Sequence, residues 1–179
     1  MFARNRDQTV EWLRELALFD GCTRNQLQAA ARLFCAVDVE PGQVLSKEGG
    51  RADQFIVIID GSARATTADG DSTVLGRGAY IGESALARRA RALVTVVVES
   101  PMTLLAATRT ELRQLVEVAP PVARRLSPAH QTVAPVTVRT SDAAVGATEQ
   151  RADRRWVTRV LSSRYRGSVR AFILPSSWR

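Results

Sequence analysis

Residues 80–86 read Tyr80-Ile81-Gly82-Glu83-Ser84-Ala85-Leu86, and an arginine, Arg91, follows eight residues after the glutamate. A turn of small residues offers backbone N–H groups to an anion, and the start of a short helix favours the same arrangement. The planar fork of an arginine matches two phosphate oxygens. Glu83, the turn and Arg91 are therefore a set that can hold a sugar hydroxyl at one end and a phosphate at the other, which indicates a nucleotide receptor.

The composition is typical of one globular domain. The 179 residues are 45% hydrophobic, which is enough for a core. No run of eighteen apolar residues and no charged-then-apolar leader is present, so we expect neither a membrane span nor an export signal, and the cytoplasm as the location. Cys22 and Cys35 are the two cysteines, without a CxxC motif or a nearby histidine. We therefore expect free thiols, with no disulfide framework and no metal site.

The positive charge is concentrated at the end of the chain. Residues 128–179 contain nine arginines against Asp142, Glu149 and Asp153, so six of the seven net positive charges lie there. The same stretch shows little apolar periodicity, which is typical of a linker or a disordered tail. The sequence thus predicts a domain over residues 1–127 and an arginine-rich, partly disordered appendage over 128–179.

Short runs rich in Val, Ile, Leu and Thr fill the middle of the chain. They are separated by glycine turns, including Asp60-Gly61 and Asp69-Gly70, and Asp-Gly between such runs is a strong hairpin signal. Many short strands at this spacing favour a sandwich or a barrel. The predicted strands are 43–46, 55–59, 63–67, 73–75, 94–98 and 102–106.

Helices are predicted on both sides of the strands. Apolar residues at helical spacing predict one helix over 9–19 and a second that Thr23 caps. Thr108 and Glu111 fit a capping box for a helix after the last strand. Pro120-Pro121 interrupts that helix, and a further turn follows over 122–126.

This order of elements resembles the cyclic nucleotide-binding domain, as in catabolite-activator-type regulators and the regulatory subunits of cyclic-AMP-dependent kinases. The resemblance runs from about Leu16 to Leu126. Besides the turn at 82–86, it rests on residues 41–45 (PGQVL), on Glu48-Gly49 and on residues 55–63 (FIVIIDGSA). It implies a mainly β fold with flanking helices, a jelly-roll-like β-barrel, and a phosphate-binding segment between two strands.

The resemblance also implies roles for particular residues. Glu83 would accept a hydrogen bond from the ribose 2′-hydroxyl, and Arg91 would pair with the exocyclic oxygens of a cyclic phosphate. Many relatives have a Thr or Ser after the arginine, which favours guanine, so the alanine here favours cyclic AMP as the ligand. Backbone donors or room for close approach would come from Gly82, Ser84, Ala85 and Ala92.

The loop between the glutamate and the arginine departs from the family pattern. It is a residue or two shorter, and an ungapped comparison puts Ala92 in the place of the arginine. The phosphate ligand is therefore Arg91, Arg89 or absent. Glu83 has a structural alternative as a carboxylate that caps N–H groups in a tight turn, and the arginines at 88, 89 and 91 have one as a solvated cluster.

The sequence therefore predicts a cyclic nucleotide-binding regulatory module that signals to a partner protein through its closing helix and tail. No nucleophile with a positioned base is evident, so we expect no enzyme activity and no catalytic residue. No helix-turn-helix pattern follows, so sequence-specific DNA binding is not expected. The alternatives are a ligand-free protein-interaction scaffold and a protein that binds nucleic acid through its basic tail. The tail itself is an unstructured end, a binding segment for nucleic acid or an acidic partner, or a lid.

Overall fold

The computed structural model describes residues 6–86 and 91–126. Predictions for Arg88, Arg89 and the tail from residue 127 onward lie outside this part of the chain. The described helices are α1 (Arg6–Arg14), α2 (Arg24–Ala31), α3 (Arg109–Val118) and α4 (Pro120–Leu126), with 3-10 helices at Ala17–Phe19 and Glu83–Leu86. The strands are β1 (Cys35–Val39), β2 (Val44–Ser46), β3 (Gln54–Asp60), β4 (Ala63–Thr66), β5 (Ser72–Leu75), β6 (Tyr80–Ile81), β7 (Thr95–Val98) and β8 (Met102–Thr108).

The eight strands form two four-stranded sheets, in the orders β1-β8-β3-β6 and β2-β7-β4-β5. All pairings are antiparallel, and each early strand pairs with its counterpart counted from the end: β1 with β8, β2 with β7, β3 with β6 and β4 with β5. This folded-over order is the jelly-roll arrangement. The expected mainly β fold with flanking helices is therefore confirmed, as two facing sheets.

Strand β3 explains why the run at residues 55–59 is apolar throughout. Phe55 and Val57 belong to a core shared with the helices, whereas Ile56 and Ile58 belong to a second core with residues of the other sheet. Side chains alternate between the two faces of a strand, so both faces of β3 are buried. Each core needs large apolar side chains, and a continuous run supplies both.

Two strands and one connection differ from the sequence-based expectation. Strand β1 was not predicted, although it pairs with β8 from Cys35 opposite Ala106 to Val39 opposite Met102. The two-residue strand β6 was also missed. The hairpin signal is confirmed for Asp69-Gly70, which joins the paired strands β4 and β5. It is wrong for Asp60-Gly61, since β3 and β4 lie in different sheets and this turn crosses between them.

The helices follow their predicted capping signals. Thr23 with Gln26, and Thr108 with Glu111, each form a complete capping box. The helix predicted over 9–19 is instead α1 followed by a separate 3-10 helix at Ala17–Phe19. Among the described residues, every helix is too short or too polar to cross a lipid bilayer.

Candidate functional site

The predicted glutamate turn begins where β6 ends. Strand β6 pairs with β3, with Tyr80 opposite Val57 and Ile81 opposite Ile56. Gly82 follows with φ +94°, and a Cβ atom there would lie 1.9 Å from the carbonyl oxygen of Gln54. No other residue type fits such an approach without moving the backbone. The absence of a side chain at Gly82 therefore allows the backbone of the turn to contact the start of β3 directly.

A 3-10 helix, Glu83–Leu86, forms the turn itself. Ala85 is fully buried in the core shared with the helices, and its N–H donates to the Gly82 carbonyl at 2.9 Å. The Ala85 N–H is thus used inside the turn, and its side chain belongs to the core. The 3-10 helix packs against α3 and β3. Glu83 and Ser84, at its start, are only partly buried.

Glu83 lies close enough to Tyr80 to affect its ionisation. Burial raises the pKa of the Tyr80 phenol above its usual value, and the negative charge of Glu83 raises that pKa further. The Tyr80 ring also packs on Phe55, with 5.8 Å between centroids. Within residues 6–86 and 91–126, the Glu83 side chain forms no hydrogen bond and no ion pair. The capping role considered for this carboxylate is therefore not observed there.

Arg91 is held against the Glu48-Gly49 turn. One guanidinium nitrogen of Arg91 donates to the Gly49 carbonyl at 2.7 Å. Backbone bonds join the same two segments, from Gly49 N–H to Ala92 oxygen at 2.9 Å and from Ala92 N–H to Gly50 oxygen at 2.8 Å. The structure thus brings together two pieces of the family resemblance that are about forty residues apart in sequence. Sequence reasoning did not predict this contact.

The surroundings of Arg91 supply no carboxylate partner among the described residues, and its side chain is exposed. Val94 and Thr95 are held by hydrogen bonds to the segment from Ser46 to Glu48. Ser46 Oγ donates to the Val94 carbonyl at 3.1 Å, and Glu48 N–H donates to Thr95 Oγ1 at 3.1 Å. Hydrogen bonds therefore hold the backbone at Ala92 on one side of Leu93 and at Val94 on the other, and Arg91 itself is exposed. Residues 87–90, which join it to the glutamate turn, lie outside the described part.

Helix α3 connects the turn to the end of the domain. It packs against the 3-10 helix Glu83–Leu86, and α4 packs against both α3 and the 3-10 helix Ala17–Phe19. Arg125 on α4 donates to the Asp20 carbonyl at 2.6 Å. A chain of direct packing contacts therefore runs from the glutamate turn to the last described residues.

Comparisons with known proteins agree with this fold. Residues 36–118 match the family model described as the cyclic nucleotide-binding domain. The chain is 37% identical over 94 residues to the acetyltransferase Pat of Mycolicibacterium smegmatis, a match spanning 50% of this chain and 28% of that protein. It is 27% identical over 99 residues to a cGMP-dependent protein kinase of Eimeria tenella, spanning 55% of this chain and 10% of the kinase. The chain therefore covers well under half the length of either relative.

Solved structures show the same architecture. The regulatory domain of Toxoplasma gondii PKA with cAMP superposes with a TM-score of 0.59 at 19% identity, covering 67% of this chain and 49% of that one. A mutant of the cAMP-binding acyltransferase from Mycobacterium smegmatis superposes with a TM-score of 0.52 at 29% identity, covering 66% and 40%. Residues 36–118 therefore match the cyclic nucleotide-binding domain family model, and the described fold is similar to that of the regulatory domain of a protein kinase A.

Proposed function

We propose that this domain binds cyclic AMP and regulates a partner by doing so. The proposal rests on the charge of Arg91. This exposed residue donates to the neutral Gly49 carbonyl and has no carboxylate partner among the described residues. An uncompensated guanidinium fixed on an anchored backbone is suited to a phosphate, because bonds between charged groups are the stronger ones. Arg91 is one residue from the position that an ungapped comparison gives to the arginine, whereas Arg89 is three residues away, so Arg91 is the proposed phosphate ligand.

Glu83 is the proposed acceptor for the ribose 2′-hydroxyl. Its side chain is partly exposed, and it has no hydrogen-bond donor among the described residues, so a ligand hydroxyl can supply one. Gly82 and Ala85 shape the turn from within the fold, and the partly buried Ser84 and Ala92 are the proposed neighbours of the ligand. Ala92 favours cyclic AMP over cyclic GMP because it has no hydroxyl to offer to guanine. The similarity to a protein named as a cAMP-binding acyltransferase supports the same ligand.

The proposed output is a change in α3, α4 and the chain beyond them. Ligand shifts an equilibrium between two conformations only by its differential affinity for them, so the turn must contact α3 differently with and without ligand. The domain itself acts by binding rather than by catalysis. Its curated relatives are named as an acetyltransferase and a kinase, so we infer that the partner is a catalytic unit.

Calorimetric titration with cyclic AMP and cyclic GMP tests this proposal. Cyclic AMP should bind more tightly than cyclic GMP, and Arg91→Ala should weaken cyclic AMP binding by roughly thirty- to a thousandfold, as truncation of one partner of a close charge pair does. Arg64→Ala is the matched control, because it removes an arginine that pairs with Glu99 instead. Binding that survives Arg91→Ala but vanishes in Arg89→Ala would keep the function and move the phosphate ligand. Absence of heat with both nucleotides would favour a ligand-free scaffold.

A further inference from the structure

A second arginine lies directly opposite Arg91. Arg51 and Arg91 form an isolated antiparallel bridge. The flanking bond from Ala92 N–H to the Gly50 carbonyl identifies the bridge as a non-hydrogen-bonded pair, in which the two Cα atoms come to about 4.5 Å and the side chains are closest. Residues directly opposite each other extend from the same face of the pair. The fold thus places two arginine side chains on the same face of this bridge, starting from neighbouring Cα atoms.

This pairing is unfavourable without an anion. Like charges directly opposite across an antiparallel pair are destabilising, and both residues are exposed, with the Arg51 side chain 81% accessible. Asp53 compensates in part, since its carboxylate contacts Arg51 Nε at 3.1 Å. Arg91 has no carboxylate partner among the described residues, so its positive charge is not compensated there. A phosphate held by Arg91 would lie beside this excess charge and would convert the repulsion into attraction.

We propose that Arg51 is a second cationic contact for the phosphate of the cyclic nucleotide, with Asp53 restraining it. This inference rests on the proposed function and adds to it a residue that the family resemblance did not assign. Arg51 strengthens binding at low salt, and Asp53 weakens binding because it competes with the phosphate for the same guanidinium. Removing the two side-chain charges therefore has opposite effects on affinity.

The test is calorimetry with cyclic AMP on Arg51→Gln, Asp53→Asn and the control Arg64→Gln, each in the full chain. Arg51→Gln should weaken binding about fivefold at low salt, the size expected for an exposed charge contact. Asp53→Asn should tighten binding by about twofold to threefold. Arg64 also contacts a carboxylate through Nε, at 2.6 Å to Glu99, so its replacement removes the same charge and kind of contact and should leave affinity unchanged. Both effects should fade at 1 M salt, where the Debye length is about 3 Å.

The affinities of these variants distinguish failure of the role of Arg51 from failure of cyclic AMP binding as such. A cooperative melt for each variant shows that it is folded. Cyclic AMP binding that Arg91→Ala weakens, but that Arg51→Gln leaves within the change seen for Arg64→Gln, overturns the role of Arg51 alone. Weakening by both Arg51→Gln and Asp53→Asn also overturns it, since that pattern reports loss of loop structure rather than of charge. Absence of cyclic AMP binding by the unaltered chain overturns the proposed function and this inference with it.

Discussion

Single residues define the geometry of the site, and Gly82 does so most strictly. A Cβ at this position would lie 1.9 Å from the Gln54 carbonyl oxygen, on a backbone with φ +94°. Gly70 has a similar φ of +86° but nothing within 4 Å of the added atom. It is therefore a matched control that isolates the cost of the backbone conformation from the cost of the clash.

Gly82→Ala should destabilise the domain more than Gly70→Ala does. A strained backbone alone costs about 1–3 kcal/mol, and the clash at Gly82 adds to it because the turn must move away from β3. Urea unfolding of the two variants measures the difference in the free energy of unfolding. Equal losses would show that the turn does not press on Gln54 as described.

The role of Glu83 is tested by removing the same hydrogen bond either from the protein or from the ligand. If its carboxylate accepts the ribose 2′-hydroxyl, Glu83→Ala and 2′-deoxy cyclic AMP should each weaken binding by about 1.5–3 kcal/mol, the range for a hydrogen bond to a charged group. Combining them should cost little more than either alone, because both remove the same contact. Calorimetry on the four combinations measures this coupling. Fully additive losses would place the hydroxyl elsewhere.

At the scale of elements, the junction between α4 and the N-terminal segment is the part that we expect to transmit a signal. Arg125 donates to the Asp20 carbonyl, and its charge also affects Cys22 nearby, whose thiol pKa is raised mainly by burial. The neighbouring Arg124 is exposed on the same helix. Replacing each arginine in turn tests the hydrogen bond between Arg125 and Asp20, with Arg124 as a control on the same helix.

Arg125→Ala should loosen α4, whereas Arg124→Ala should not. The bond comes from a charged donor, for which the range is about 1.5–3 kcal/mol, and the partial exposure of Arg125 places the expected loss in the opening free energy of the helix at the low end of this range. Amide hydrogen exchange of α4 residues measures this local opening. If the two variants exchange alike, α4 is held by its apolar contacts, such as Val122 and Leu126, and Arg125 contributes nothing.

Elements with strong local signals were predictable from the sequence, whereas elements and contacts with weak local signals were not. The capping box of Thr108 and Glu111 lies within four residues, and the structure confirms it. Strand β1 was missed because its sequence, Cys-Ala-Val-Asp-Val, lacks the run of large apolar residues that marks the other long strands, and its pairing with β8 leaves no local signal. The residues of the candidate site were predicted from their order and spacing, and their role toward a ligand stays a prediction. The contact between Arg91 and Gly49 was not, because it depends on how two loops meet in the fold.

The two described cores both lie within residues 6–126. A chain truncated after Ser127 should therefore fold on its own and unfold cooperatively. Thermal denaturation of the truncated chain measures this, and limited proteolysis of the full chain should cut first near residues 143–150. An insoluble truncated chain, or one without a cooperative transition, would show that the tail belongs to the folded unit.

The proposed uptake of cyclic AMP by this domain is tested most directly by the melting temperature of the unaltered chain at increasing ligand concentration. A ligand that binds only the folded state stabilises it by RT ln(1 + [L]/Kd), which is about 2.7 kcal/mol at a hundredfold excess over Kd. The melting temperature should therefore rise steadily with cyclic AMP and less with cyclic GMP. No shift with either nucleotide at millimolar concentration would contradict the claim and leave the domain as a ligand-free scaffold.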